Sequence, residues 1–153
     1  ANRRKFMTDF AEFCEGEGSV LILDLDGFKP VNDQHGHDVG DQLLIQVARR
    51  FERVIPNGSL LARLGGDEFG ALVKGGDGYE VALALRATLS YPFQIEGQDF
   101  RLDVSVGEAI NIPGQIPSEQ LLRRADVAMY EAKRSKSGIC SWHEKLGSQG
   151  SRL

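Results

Sequence analysis

The sequence has none of the long apolar segments that a membrane protein needs. No apolar run approaches the ~18 residues of a membrane-spanning helix. No basic segment precedes an apolar stretch at the N-terminus, so the pattern of a secretory signal is also missing. We therefore expect a cytoplasmic domain, which leaves open whether a longer parent protein is anchored in a membrane.

Cysteine and positive charge are scarce as well. Cys14 and Cys140 form no C-x-x-C pair, which argues against a redox or zinc motif, and we expect both thiols to be reduced. His35 and His37 form an H-x-H pair without an evident third ligand, so zinc is disfavoured. Eighteen Lys and Arg against 22 Asp and Glu give a net charge of −4. This balance argues against nucleic acid as the partner, but a small phosphorylated ligand needs only a few local cations.

What the sequence does contain is enough apolar material for one globular domain. The chain has 153 residues, 41% of them hydrophobic. Strand and helix patterns mix, with at least two hairpins, which is typical of an α+β sheet with helices packed on it. We place one domain at residues 1–142 and a polar C-terminal tail, or the start of a linker, at 143–153. The patterns predict helices over 1–13, 41–55, 79–90 and 117–135, strands over 19–25, 59–64, 68–74, 91–95, 100–110 and 138–142, and a polar loop over 27–40.

Acidic side chains mark the ends of two of these strands. Asp24 and Asp26 alternate with one residue between them, so both carboxylates leave the strand on the same face. Asp67 and Glu68 follow two glycines at a predicted hairpin tip. If the two strands are neighbours, these carboxylates converge and repel one another unless a cation such as Mg²⁺ lies between them. The alternative is a solvated strand end and an ordinary exposed turn.

The polar loop offers groups that suit a nucleotide. Lys29 lies five residues after Asp24, a distance compatible with phosphates bound above the metal. Asn32, His37 and Asp41 carry the donors and acceptors that a guanine edge requires. The alternative is that an aspartate caps the following helix and the histidines are simply exposed.

Several motifs in one order resemble the signature of GGDEF domains, the diguanylate cyclases. They are residues 24–29 (DLDGFK), 32–33 (ND), 36–37 (GH), 40–41 (GD) and 65–69 (GGDEF), followed by 105–107 (SVG) and 125–133 (ADVAMYEAK). The resemblance covers about residues 2–142. It implies a central, mostly antiparallel sheet flanked by helices, similar to the nucleotidyl cyclase and polymerase palm folds.

The resemblance also implies an activity. GGDEF domains join two GTP molecules into cyclic di-GMP and release two pyrophosphates. They work as homodimers in which each subunit holds one GTP and two Mg²⁺ or Mn²⁺ ions. Sensor domains or EAL phosphodiesterase domains often accompany them in longer proteins, and we expect such neighbours here.

The same resemblance assigns roles to individual residues. Metal ligation falls to Asp24, the Leu25 carbonyl, Asp67 and Glu68. The catalytic residues are Asp67 as the base for the ribose 3′-hydroxyl, Glu68 at the metals, and Lys29, which neutralises transition-state charge. Substrate binding falls to Asn32, Asp41 and His37 at the guanine, to the Gly27 and Phe28 amides and Lys133 at the phosphates, and to Gly65 and Gly66, which let the hairpin approach the nucleotide.

Three positions depart from the family pattern. The Arg-x-x-Asp of the family's product-inhibition site is replaced by Pro56, Asn57, Gly58 and Ser59, so we expect no such inhibitory site. The segment after Lys133 lacks the family's later arginine. Glu108 stands where many members have a small apolar residue. These departures keep a second function open, a GTP-binding regulatory module of a larger signalling protein.

Overall fold

The computed structural model describes residues 1–144 and 146. Helices and strands alternate irregularly along the described chain, as an α+β protein requires. The helices are α1 (Arg3–Phe13), α2 (Phe28–His35), α3 (His37–Val54), α4 (Gly78–Ala87) and α5 (Ser118–Ser135), with a 3₁₀ turn at Thr88–Ser90. The strands are β1 (Gly18–Asp26), β2 (Leu60–Gly65), β3 (Glu68–Lys74), β4 (Phe93–Ile95), β5 (Gln98–Phe100), β6 (Asp103–Asn111) and β7 (Ile139–Ser141).

Five strands form the central sheet in the order β2-β3-β1-β6-β7. All neighbours are antiparallel except β6 and β7, which run parallel. The strands β4 and β5 form a separate two-stranded hairpin. The mostly antiparallel α+β architecture is therefore confirmed, and β1 lies at its centre.

Helices cover both faces of the sheet because the side chains of β1 alternate between two cores. Leu21, Leu23 and Leu25 pack toward α3 and α4 in the larger core. Val20 and Ile22 point the opposite way, toward α1 and α5. Nearly every residue of β1 is buried, which explains its continuous apolar sequence.

The predicted loop over 27–40 is wrong, because this stretch forms α2 and the start of α3. Gly27 and Gly36 cap the two helices with φ of 88° and 91°, so neither Asp38 nor Asp41 serves as a helix cap. Only Phe28 is buried in α2. A short helix with a single buried residue shows no apolar periodicity, and its turn-forming residues therefore indicated a loop.

The C-terminal half needs smaller corrections. The predicted strand over 100–110 is two strands, β5 and β6, because the chain leaves β5 at Phe100 and re-enters the sheet at Asp103. The helix predicted over 79–90 finishes as a 3₁₀ turn. Cys14 and Cys140 are free thiols, as expected. No helix in the described part of the chain has the length and apolarity to cross a membrane, and most of the predicted tail lies outside the described residues.

Candidate active site

Asp24 lies at the centre of one end of the sheet. It pairs with Glu68 of β3 on one side and with Ser105 of β6 on the other. The Leu25 amide donates a hydrogen bond of 3.1 Å to the Asp67 carbonyl, which ties the β2–β3 turn to β1. The antiparallel register thus brings three of the predicted acidic residues together, Asp24, Asp67 and Glu68.

Two glycines shape the turn that carries Asp67. Gly65 and Gly66 have φ of 152° and 49°, backbone conformations that residues other than glycine rarely adopt. A Cβ at either position would meet no neighbouring atom within 4 Å, so glycine is needed for the backbone conformation. Arg63 holds the turn from below, because its Nε donates a bond of 2.9 Å to the Gly66 carbonyl.

Helix α5 adds a further charged pair to this end of the sheet. A Cβ on Gly107 of β6 would collide with the backbone of Met129, so the helix lies directly on the strand. Asp126 and Lys133 are seven residues apart, two turns along one helical face. Sequence reasoning assigned Lys133 but missed Asp126, although this spacing is the signal that could have found it.

Lys133 spans the two carboxylates at the end of β1. Its Nζ lies 2.5 Å from Asp24 Oδ2 and 3.5 Å from Asp26 Oδ1. Asp26 is held from the other side, since Ser105 Oγ donates a hydrogen bond of 2.7 Å to its Oδ2. Burial alone lowers the pKa of Lys133, but the bonds and charges of the two aspartates outweigh it and raise the pKa.

The remaining acids of the site hold their protons more strongly than usual. Partial burial, followed by the charge of Asp24, raises the pKa of Asp67. Burial and then the charges of Asp126 and Asp24 raise the pKa of Glu68, which Arg3 partly offsets. Burial and Asp24 likewise raise the pKa of Asp126. The acidic cluster therefore carries more negative charge than its neighbouring cations balance.

A divalent metal suits this donor set. Carboxylate oxygens are the hard ligands that Mg²⁺ and Mn²⁺ prefer, and a cation would offset the charge repulsion that adds to burial in raising these pKa values. Among the described residues, no three acidic, histidine or cysteine side chains are arranged as a ready-made metal cage. The ammonium of Lys133 occupies one oxygen of Asp24, since its Nζ donates a hydrogen bond to Oδ2.

A helix N-terminus faces the same end of β1. Gly27 joins β1 to α2, and no side chain in the described structure caps the first turn of α2. Its free N–H groups and the positive end of the helix dipole suit a phosphate. Phe28 is buried and anchors the helix, whereas Lys29 beside it is exposed.

The predicted guanine-binding residues occupy α2 and the start of α3. Asn32 is half-buried and lies so close to Gly40 that a Cβ there would collide with its Oδ1. Asp41 and His37 are exposed. Their role toward a nucleotide stays a prediction.

His35 contributes to the packing of the domain. Its ring meets the Phe100 ring edge-on, with centroids 5.0 Å apart.

Comparison with known proteins identifies the family of this chain. The family model described as "Diguanylate cyclase, GGDEF domain" matches residues 1–138. The chain belongs to the GGDEF domain family. The bifunctional diguanylate cyclase/cyclic di-GMP phosphodiesterase MucR of Pseudomonas aeruginosa is 39% identical over 132 residues, 84% of this chain and 19% of MucR.

A solved GGDEF domain, that of TpbB from Pseudomonas aeruginosa, has the same fold. It superposes with a TM-score of 0.86 at 30% identity, covering 94% of this chain and 96% of that one. The cyclic di-GMP phosphodiesterase PdeB of Shewanella oneidensis is 33% identical over 138 residues, 86% of this chain and 16% of PdeB. This GGDEF domain thus spans only about a fifth or less of these full-length relatives.

The structure shows where each departure from the family pattern lies. Pro56–Ser59 lies in the turn between α3 and β2, where Ser59 N–H donates to the Pro56 carbonyl. Lys136 ends α5 in the left-handed conformation, with φ of 59°. Glu108 is buried on β6, where it accepts hydrogen bonds from two serines.

Proposed function

We propose that this GGDEF domain is a diguanylate cyclase that joins two GTP molecules into cyclic di-GMP and two pyrophosphates. One observation carries the proposal. The sheet register puts Asp24, Asp67 and Glu68 at one end of the sheet, beside an α2 N-terminus that no side chain in the described structure caps. Phosphoryl transfer needs carboxylates that hold metal ions and positively polarised groups, such as a helix N-terminus, that hold phosphate.

The acidic residues supply the metal-binding half of the site. Asp24, Asp67, Glu68 and the Leu25 carbonyl would hold two Mg²⁺ or Mn²⁺ ions, which act as Lewis acids toward the phosphates. Asp67 accepts the proton of the ribose 3′-hydroxyl.

The chemical step is an in-line displacement at the α-phosphorus. The bond from O3′ to the α-phosphorus forms while the bond to the β-phosphate oxygen breaks, and pyrophosphate leaves. Lys29 and the amides of Gly27 and Phe28 neutralise the phosphate charge. Two such steps, one on each GTP, close the cyclic product, so two subunits must face each other as a homodimer.

Substrate selection falls to α2 and α3. Asn32 and Asp41 would hydrogen-bond the guanine edge, with His37 beside them. Gly40 leaves the space that Asn32 occupies. GTP should therefore be preferred to ATP, because guanine offers N1–H and N2–H donors to the Asp41 carboxylate and adenine has neither.

The direct test follows both products. The 153-residue chain is incubated with Mg²⁺ and GTP at concentrations that allow dimerisation, and cyclic di-GMP and pyrophosphate are quantified by chromatography. We expect one cyclic di-GMP for every two pyrophosphates. Asp67→Asn should lower the rate at least ~100-fold, whereas Asp99→Asn, an exposed acid on β5, serves as the matched control. GTP binding without either product contradicts the cyclase assignment.

A second function, GTP sensing without turnover, draws on two specific observations. The segment after Lys133 lacks the family's later arginine, and α5 ends there at Lys136 in the left-handed conformation. Among relatives, PdeB is named a phosphodiesterase. A regulatory domain of this kind would bind GTP with Mg²⁺ and pass the signal to a neighbouring EAL domain.

A further inference from the structure

The ammonium of Lys133 lies where the proposed metal site begins. Its Nζ donates to Asp24 Oδ2 at 2.5 Å and lies 3.5 Å from Asp26 Oδ1. The Asp24 side chain is only 19% exposed, whereas that of Lys133 is 45% exposed. Lys133 thus reaches from solvent to a carboxylate that the proposed chemistry assigns to metal.

The backbone that carries Lys133 packs closely on the sheet. The buried residues of α5 include three alanines, Ala125, Ala128 and Ala132. A Cβ on Gly107 of β6 would collide with the backbone of Met129. A change of partner by Lys133 therefore needs only rotation of its long side chain and no movement of the helix.

An ammonium and a divalent cation cannot share this carboxylate oxygen. Mg²⁺ requires oxygen ligands at about 2.0–2.1 Å in a nearly octahedral arrangement, and lysine has no lone pair to offer while it is charged. Two cations on one carboxylate also repel each other. Metal binding at Asp24 Oδ2 thus requires Lys133 to leave that oxygen.

We infer that Lys133 is an internal counter-ion that competes with the divalent cation for Asp24, and that metal binding releases it to the nucleotide phosphates. The inference rests on the metal site of the proposed function. It gives one side chain two successive partners, a carboxylate before the metal binds and a phosphate afterwards. Nucleotide binding then depends on metal not only through the metal–phosphate bond but also through the released lysine.

Because Lys133 has two partners, its replacement should change metal affinity and nucleotide affinity in opposite directions. Without the lysine, metal no longer has to displace a competitor, so metal should bind more tightly to the nucleotide-free domain. The nucleotide, in contrast, loses a phosphate contact and should bind more weakly in the presence of metal. A lysine that only contacts phosphate would produce the second effect without the first.

The test measures Mn²⁺ binding to the nucleotide-free 153-residue chain by the loss of the free-ion signal in electron paramagnetic resonance. We expect Lys133→Met to tighten Mn²⁺ binding about threefold or more, since it removes a competing ion pair and a nearby positive charge. Lys136→Met is the matched control. It deletes the same charge at the C-terminal cap of α5, three residues further on, and the ion pairs in the described part of the chain include none between Lys136 and the acidic cluster. Lys133→Arg keeps the charge and should bind Mn²⁺ as the unmodified chain does.

A second titration adds a non-hydrolysable GTP analogue with saturating Mn²⁺. Lys133→Met should then bind the analogue more weakly than the unmodified chain. Unchanged or weaker Mn²⁺ binding in Lys133→Met overturns the inference, and so does equal tightening in Lys136→Met. Should Lys133→Met fail to fold, Lys133→Gln repeats the same comparison. A domain that fails to make cyclic di-GMP but shows this exchange refutes the cyclase assignment alone.

Discussion

The buried carboxylate of Glu108 and the acidic cluster at the end of β1 differ in how many hydrogen-bond donors surround them. Glu108 lies on β6 and is 4% exposed, yet its oxygens accept bonds of 2.9 Å from Ser19 Oγ and 2.7 Å from Ser141 Oγ. Its Oε2 also lies against Gly78 at the start of α4, where the helix dipole favours a negative charge. The acidic cluster at the end of β1 is more exposed, but partial burial, followed by repulsion between its members, raises the pKa values of Asp67, Glu68 and Asp126.

The difference teaches how to separate structural acids from acids that bind ligands. Glu108 has a donor for each oxygen and joins β1, β6 and β7, so its charge serves the fold. The cluster around Asp24 has too few internal donors for its charges, and Lys133 answers only part of that deficit. A carboxylate group that the fold leaves unbalanced is suited to bind a cation from solution.

The largest expected effect separates the two regions by activity. Asp24→Asn keeps the shape of the side chain but removes the charge that metal needs, so cyclic di-GMP production should fall at least ~100-fold. Glu108→Gln should leave the rate within about twofold, because Glu108 contacts no proposed substrate or metal group. Steady-state assays on both variants check this. A large loss in Glu108→Gln, with the fold intact by circular dichroism, would break the division between the two regions.

Stability should show the opposite order. Glu108→Ala leaves two serine hydroxyls without their acceptor and opens space in the core, so the free energy of unfolding should fall by about 2–4 kcal/mol. Asp126→Ala removes an exposed acid that is repelled by Asp24, and its change should stay within about 0.5 kcal/mol. Urea unfolding followed through the single tryptophan, Trp142, measures both. Equal losses would show that the cluster is as structural as Glu108.

The smallest effect concerns pH. Asp67, Glu68 and Asp126 have pKa values above those of the unfolded chain, so protonation favours the folded state. Their contribution is present below the ordinary carboxyl pKa and is lost as pH rises through the raised values. Asp126→Asn removes one such group. As pH rises through the raised pKa values, the metal-free variant should therefore lose less stability than the unmodified chain.

The difference for Asp126→Asn is expected to be roughly a few tenths of a kcal/mol, because solvent screens the cluster. Urea midpoints of both chains at several pH values between about 4 and 7 provide the comparison. A variant whose midpoint falls more steeply with pH than that of the unmodified chain contradicts the repulsion described at Asp24.

Much of the fold follows from local sequence, but α2 does not. The apolar run of β1, the glycine-bearing hairpin and the stripes of α3 and α5 all have clear periodicity. Helix α2 is eight residues long, is rich in polar side chains and buries only Phe28. A helix this short is not stable by itself, so its stability comes from contacts in the folded domain. Local propensity alone cannot distinguish such a segment from a loop.

The site shows the same limit. The adjacency of Asp24 and Glu68 could be anticipated, because each lies at the end of a predicted strand and the two meet if those strands are neighbours. The burial of Glu108 could not, since it depends on contacts across the sheet. Glu108 meets Ser19 from 89 residues away, and no spacing in the sequence links the two.

The most direct test of the account is a crystal structure of the domain with Mn²⁺ and a non-hydrolysable GTP analogue. Anomalous scattering should place Mn²⁺ on Asp24 and on Asp67 or Glu68, with guanine between Asn32 and Asp41 and Lys133 on the phosphates. Manganese at any other position, or a nucleotide bound away from α2, would contradict the assignment of this acidic cluster as the active site.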